Sequence, residues 1–183
     1  MDRYAAGDGP AFSEVYDMLA PRLLVYLRRQ VREESRARDL VQDTFMQIHR
    51  GRASFMAGSA VLPWAFSIAR RLLIDDIRRG KRNVQVVDPD DPRASHVRSD
   101  ARTDGMLEAR ELAGRMQRAL ERLPPLQREA FELVKQDGFT LLEAAEALGT
   151  TVTAVKLRTH RAYEALRGAL GDDFDPGKGT GLQ

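Results

Sequence analysis

Few side chains in this chain could do covalent or metal chemistry. The three histidines, His49, His96 and His160, lie far apart and make no metal-ligand pattern. There is no cysteine, which excludes disulfides, thiol redox sensing and cysteine-ligated zinc. Asp75 and Asp76 are neighbours. Adjacent helix residues point about 100° apart, so the two carboxylates cannot act as an acid–base pair on one face. With no clustered carboxylates and no nucleophile motif, the chain reads as a non-enzyme that needs no cofactor and no metal. What its residue types offer is binding: cations, amides and hydroxyls recurring at helical spacing.

The densest such stretch is Thr140 to Arg167. It reads as two helices joined by a tight turn at Gly149, the residue suited to the left-handed backbone that ends a helix. Thr140 is placed to cap the first helix, and Thr150 or Thr151 the second. At 100° per residue, Val152, Val155, Thr159, Ala162 and Leu166 fall on one stripe, expected to pack on Leu141, Ala145 and Leu148. Thr153, Leu157, His160 and Arg161 fall opposite, with Lys156 and Arg158 flanking the stripe. A short helix, a Gly turn and a longer basic helix form the pattern of a DNA-binding helix-turn-helix. In a major groove the outward residues would reach base edges and the flanking cations phosphates. Leu157 can offer only apolar contact, such as a thymine methyl. An amphipathic helix with a solvated charged face has the same pattern, so this stretch alone leaves both readings open.

The N-terminal half supplies two further faces. A helix expected from about Ser35 to Arg50, capped by Ser35, buries Leu40, Val41, Thr44, Phe45 and Ile48 and turns Asp39, Gln42, Asp43 and Met46 outward. That acidic-amide face suits either solvent or a basic partner helix. After a loop over 51–62 that carries Phe55 and Met56, Pro63 is expected to open a long helix. Its buried stripe is Ala65, Phe66, Ala69, Leu72, Leu73 and Ile77; Trp64, Ser67, Arg71, Asp75, Arg78 and Arg82 share the other side. Asp76 falls near the stripe and is expected to pair with Arg79 or another arginine. From Phe66 to Arg82 there are six Lys+Arg against two Asp. A basic face led by an aromatic ring suits single-stranded nucleic acid, with cations tracking the backbone and a ring stacking on a base. A half-buried Trp beside solvated arginines is the plain alternative.

These elements sit in a simple frame. An amphipathic pattern over 11–33, built on Phe12, Val15, Tyr16, Leu19, Leu23, Tyr26, Leu27 and Val31, reads as core, with Pro21 expected to kink or interrupt it. Residues 83–106 hold two prolines, five aspartates and few large apolar residues, the composition of a linker. Beyond it Leu112, Met116, Leu120 and Leu123 mark one helix, stopped by Pro124-Pro125. Leu126, Ala130, Phe131 and Val134 mark the next, ending at Asp137-Gly138. The fold class is therefore all-α: two small helical domains joined by a flexible linker, the C-terminal one containing the helix-turn-helix. The divisions are 1–85, a linker 86–106, a second domain 107–171 and a Gly/Asp-rich tail 172–183 expected to be disordered. The net charge of +2 hides its distribution: +5 over 1–85, −2 over 86–106, +1 over 107–171 and −2 over 172–183. Positive charge gathered in patches favours a polyanionic partner. No apolar run approaches the ~20 residues of a membrane span and the N-terminus has no apolar signal core, so the expected location is cytoplasmic.

Taken in order, these features resemble the bacterial extracytoplasmic-function (ECF) sigma factors of the sigma-70 family, over about residues 10–170. The resemblance rests on the run Arg38 to Phe45, Trp64, Ile68-Ala69-Arg70, Asp75 and Arg78-Arg79 in the first half. In the second it rests on Leu123-Pro124, Arg128, Gly138, Glu143 to Gly149, Val155-Lys156, Arg158 and Arg161-Ala162. It implies roles for the faces already found. Asp39, Gln42, Asp43 and Met46 would dock on the clamp helices of the largest subunit of core RNA polymerase. Phe55, Met56, Trp64, Ser67, Arg70, Arg71, Arg78 and Arg82 would capture and melt the −10 element, with one non-template base flipped into a pocket of the loop. Thr151, Thr153, Lys156, Leu157, Arg158, His160 and Arg161 would read the −35 element. The linker would run toward the RNA exit path, and an anti-sigma factor is an expected partner. The chain departs from the family pattern at Arg71, where Asn is frequent, at Leu157 and Thr159 around Arg158, and at Thr153-Ala154, so no known promoter sequence carries over. The rival functions are a stand-alone helix-turn-helix regulator binding duplex DNA as a dimer, a metal-dependent hydrolase and a protein-binding adaptor. The Trp-led basic helix argues against the first of these, and the scattered histidines against the second.

Overall fold

The computed structural model describes residues 1–31, 33–83 and 104–171, with side chains placed for 1–31, 33–80 and 111–171. The sequence-derived linker lies mostly, and the tail wholly, outside the described residues, as does the side chain of Arg82. Eight α-helices follow in order, with no strand among the described residues. They are α1 (Asp2–Ala5), α2 (Ala11–Gln30), α3 (Glu34–Gly51), α4 (Val61–Asn83), α5 (Asp104–Glu121), α6 (Pro125–Phe131), α7 (Leu141–Leu148) and α8 (Val152–Leu170). A 3-10 turn, Arg52–Ser54, leads out of α3, and a π turn, Glu132–Gln136, prolongs α6.

The N-terminal half is a bundle of α2, α3 and α4. Leu19, Leu23, Leu27, Ile48, Phe66 and Ala69 are fully buried in it. Helix α2 is not interrupted at Pro21, which lies inside it. Helix α3 starts one residue early and has no side-chain cap; Ser35 Oγ donates instead to Glu33. Helix α4 starts at Val61, so Pro63 sits inside its first turn, where a missing N–H breaks no helical hydrogen bond. Ile77 was expected in the core but is 39% exposed. Asp76 finds its arginine across the bundle: Arg36 Nε donates to it at 2.6 Å.

The C-terminal half holds a small core of Ala119, Leu120, Leu123, Phe131, Ala162 and Leu166. Leu112 and Leu126, which mark these helices in the sequence, are both 48% exposed. The two halves are not apart. Phe139, Ala144, Ala145 and Leu148 join the core of the N-terminal bundle, α7 lies along α4, and Phe66 meets Phe139 at 4.9 Å between ring centroids. Burial of so much apolar surface, at about 25 cal/mol per Å², drives the closure.

Candidate functional site

The helix-turn-helix is built from local grammar. Thr140 Oγ1 accepts from the Glu143 N–H at 3.2 Å while the Glu143 carboxylate accepts from the Thr140 N–H at 2.8 Å, a reciprocal capping box. Gly149 is left-handed at φ 60°. Its N–H bonds to the Glu146 carbonyl and that of Thr150 to the Ala145 carbonyl, so the last carbonyls of α7 are satisfied as the chain turns. Thr151, not Thr150, caps α8, accepting from the Ala154 N–H at 3.1 Å. On α8, Val155, Thr159, Ala162 and Leu166 are buried as expected. Val152 is not: it is 40% exposed, because the first turn projects beyond α7. The opposite face is open. Thr151, Thr153, Lys156, Leu157, His160 and Arg161 are all exposed, and Arg158 is half-buried at its edge.

On α3, Asp39, Gln42, Asp43 and Met46 share one exposed face. Gln42 and Met46 also line a groove of about 1320 Å³ against α2, floored by Phe12, Tyr16 and Phe45. Tyr16, placed in the core by its periodicity, is 45% exposed at this groove. The face is thus polar on one edge and aromatic on the other. The pattern within α3 alone could not show the second edge, because it comes from another helix.

The loop after α3 divides its apolar pair. Phe55 is buried and packs edge-on against Trp64, at 5.0 Å and 62°, while Met56 is 76% exposed. Trp64 is half-buried and, with Arg71, Asp75, Gln47 and Arg50, lines a polar cleft of about 620 Å³ between α3 and α4. Gln47 and Arg50 escaped the sequence reading; they are four and one residues before Gly51 and face the cleft only because α3 and α4 are antiparallel neighbours. Ser67 is half-buried and its hydroxyl is taken by the Trp64 carbonyl at 2.7 Å. Arg71 and Arg78 are exposed. Arg70 is not with them. It points across to α6, where its Nε donates to Glu129 at 2.9 Å. Tyr26 donates to the same oxygen at 2.8 Å, and burial, with the Glu129 charge next, raises the Tyr26 pKa well above that of a free phenol. Among the described residues no three metal-ligating side chains cluster and no helix is long and apolar enough to cross a membrane.

This architecture of two helical units, the second with a capped helix-turn-helix, has clear relatives. Residues 15–83 match sigma-70 region 2, and residues 113–166 match sigma-70 region 4. The chain is 31% identical to the RNA polymerase sigma factor CarQ of Myxococcus xanthus, over 94% of its own length and 96% of the relative's. It is 33% identical to the ECF sigma factor SigF of Caulobacter vibrioides, over 87% and 86%. Among solved structures it is similar to the sigma factor RpoE in complex with the anti-sigma factor NepR from Bartonella quintana. That match has a TM-score of 0.70 and 28% identity, covering 89% of this chain and 98% of that one. The chain is therefore an RNA polymerase sigma factor, a transcription initiation factor of the sigma-70 family. Within that family it belongs to the extracytoplasmic-function type, which directs promoter-specific initiation by binding core polymerase and the −35 and −10 elements.

Proposed function

We propose that the chain acts without chemistry of its own, in the cytoplasm, by dividing recognition among the three faces described. The domains at 1–85 and 107–171 act as region 2 and region 4, with 86–106 as the connector. The face of Asp39, Gln42, Asp43 and Met46, continued by the aromatic groove of α2, docks on the clamp helices of core polymerase. Met56, on the exposed loop beside Phe55, and the cleft of Trp64, Arg71, Gln47 and Arg50 receive the melted −10 strand. Ser67 and Phe55 hold Trp64 in place, while Arg70, Arg78 and Arg82 follow the backbone. Residues Thr151, Thr153, Lys156, Leu157, Arg158, His160 and Arg161 enter the −35 major groove. Salt-sensitive phosphate contacts position the protein and a few base contacts specify the sequence. An anti-sigma factor holds the chain inactive, a reading supported by the sigma–anti-sigma complexes of the structural relatives.

The observation that carries this reading is the open face of α8. Six of its seven candidate residues are exposed on a helix whose other stripe is buried, which is what a duplex reader requires. The test is run-off transcription with purified core polymerase on genomic fragments, with and without the chain. Discrete new start sites that depend on it are expected. Absence of such starts, with no co-elution with core enzyme and a palindromic footprint by the free chain, would replace this reading with the stand-alone regulator.

A further inference from the structure

Among the described residues, the cross-half hydrogen bonds of α2 and α4 run one way. Tyr26 and Arg70 donate to Glu129 at 2.8 and 2.9 Å. Gln30 donates to Glu132 at 2.9 Å. Arg29 donates to Gln136 at 2.8 Å and to Asp137, and its Nε stands 3.8 Å from Glu132. Every donor here belongs to α2 or α4, and every acceptor to α6, the π turn or Asp137. Arg22, exposed on α2, adds its charge to the field at Asp137 and Glu143. A face of three arginines, which can only donate, with a phenol and an amide that donate here, is complementary to a ligand that only accepts. A nucleic-acid backbone is such a ligand, offering phosphate oxygens and no donor.

We propose that Arg22, Arg29 and Arg70, with Tyr26 and Gln30, form a binding surface for single-stranded DNA, and that Glu129, Glu132 and Asp137 occupy it as an internal substitute for phosphate. Two donors converge on one oxygen of Glu129, as they do on a phosphate oxygen. The substitute is a poor fit as a protein core. Arg29 keeps a buried Nε without a hydrogen-bond partner, and burial outweighs pairing at both Glu132 and Asp137, holding their pKa values above the usual carboxylate range. A strand that neutralises the arginines at the surface, where its phosphates keep part of their hydration, competes with carboxylates that gain by returning to water. Arg70 lies on the helix that carries Trp64 and Arg71, so a strand held in the cleft can continue onto this surface. The inference rests on that reading of the cleft for its direction along α4.

The experiment uses the full chain and a fluorescein-labelled single-stranded oligothymidine. Because the chain lacks cysteine, Ser13→Cys and Ala165→Cys, both exposed, accept a dye pair that reports separation of the halves. The variant Glu129→Gln, which weakens the pairing with Arg70 and Tyr26 and leaves Glu132 and Asp137 charged, is expected to separate the dyes and bind the probe about tenfold more tightly, as when a competent form raised from about a tenth of the population becomes dominant. Its log K against log salt slope is expected to steepen by about 1.5 to 2, for two or three added phosphate contacts on a single strand. Adding R22Q and R29Q should return affinity and slope to those of the parent. In the unsubstituted dye-labelled chain the probe itself should separate the dyes, a readout that needs no variant to fold. Separation without tighter binding, or tighter binding that survives R22Q and R29Q, would overturn the proposal, and so would a Glu129→Gln variant that stays closed. Failure of the −10 reading has a different mark: R71A would then leave polymerase-dependent melting intact, whatever happens to Arg22 and Arg29.

Discussion

The two helices offered to DNA, α8 and α4, meet opposite constraints. Helix α8 buries one stripe in its own small domain and leaves the other face free. Its caps and left-handed glycine are satisfied without help from the other half. Helix α4 is packed by α2, α3 and α7, and one of its arginines, Arg70, is held by Glu129. A duplex offers its edges ready-made, so a preformed reader suffices. A melted strand must be received, and the structure keeps part of that receiving surface closed.

The most damaging way to break this comparison is at the joint between the halves. Phe66 is 1% exposed and meets both Tyr26, at 5.1 Å, and Phe139, at 4.9 Å. Phe66→Ala is expected to cost about 3 to 5 kcal/mol in chemical denaturation, the range for emptying a large buried ring site. Phe139→Ala should cost less global stability than Phe66→Ala while separating the halves by the dye pair. Equal losses with no separation would mean the two halves unfold as one and that α4 is not independently held.

The next effect separates the faces by function. Arg161→Ala is expected to lower transcription from promoters with a −35 element by about tenfold, for a base contact worth about 1 to 3 kcal/mol, and to leave polymerase affinity unchanged. Asp43→Ala should do the reverse, weakening the complex with core enzyme while leaving duplex binding by the C-terminal half intact. If both substitutions lower both quantities alike, the division between the α3 face and the α8 face is wrong.

A smaller effect compares the caps. Thr140→Ala removes the hydroxyl that Glu143 needs for the capping box and is expected to cost about 1 kcal/mol of stability. Thr151→Ala should cost a similar amount, but because Thr151 also faces DNA it should lower −35 binding beyond what Thr140→Ala does. Thr151→Ser is expected to restore the cap and most of the binding.

How much of this was legible in the sequence follows the range of each interaction. The helix-turn-helix was readable to the residue, because caps, the glycine turn and the 3.6-residue stripe are local; only the exposure of Val152 needed the place where α7 ends. The outward face of Asp39, Gln42, Asp43 and Met46 was readable for the same reason. The groove beside it was not, since Tyr16 comes from α2. Gln47 and Arg50 escaped because membership of the cleft depends on the pairing of α3 with α4. Arg70 is the instructive case: its residue type pointed to DNA, but its partner Glu129 lies 59 residues away, beyond any periodicity. The pairing of Asp76 with Arg36 likewise belongs to tertiary structure.

The finest test of the comparison is pH, because the joint and the helix ends respond with opposite sign. At the joint, burial raises Glu132 above the usual carboxylate range, against Arg29, Arg128 and the Gln30 amide, which lower it, and beside Asp137, which adds to the rise. Burial likewise raises Asp137, against Arg29 and Arg22. The closed chain therefore binds protons more tightly at these two sites than the unfolded chain does. Their cost is full above the raised values and is relieved as pH falls through them. At the helix ends the sign reverses. Glu143 is lowered by the Thr140 N–H and hydroxyl, and Glu34 by its hydrogen bond from Arg28, against desolvation and with help from Arg38. Their stabilisation is present above the ordinary carboxylate value and is lost as pH falls through the lowered ones. On acidification from pH 7 we expect the denaturation midpoint to rise slightly and the dye-labelled halves to draw closer. Below the ordinary carboxylate range the midpoint should fall. The variant E132Q/D137N should abolish the rise and keep the fall, and Glu143→Gln should blunt the fall and keep the rise. A rise that persists in E132Q/D137N would show that the closure of α4 is not set by these carboxylates.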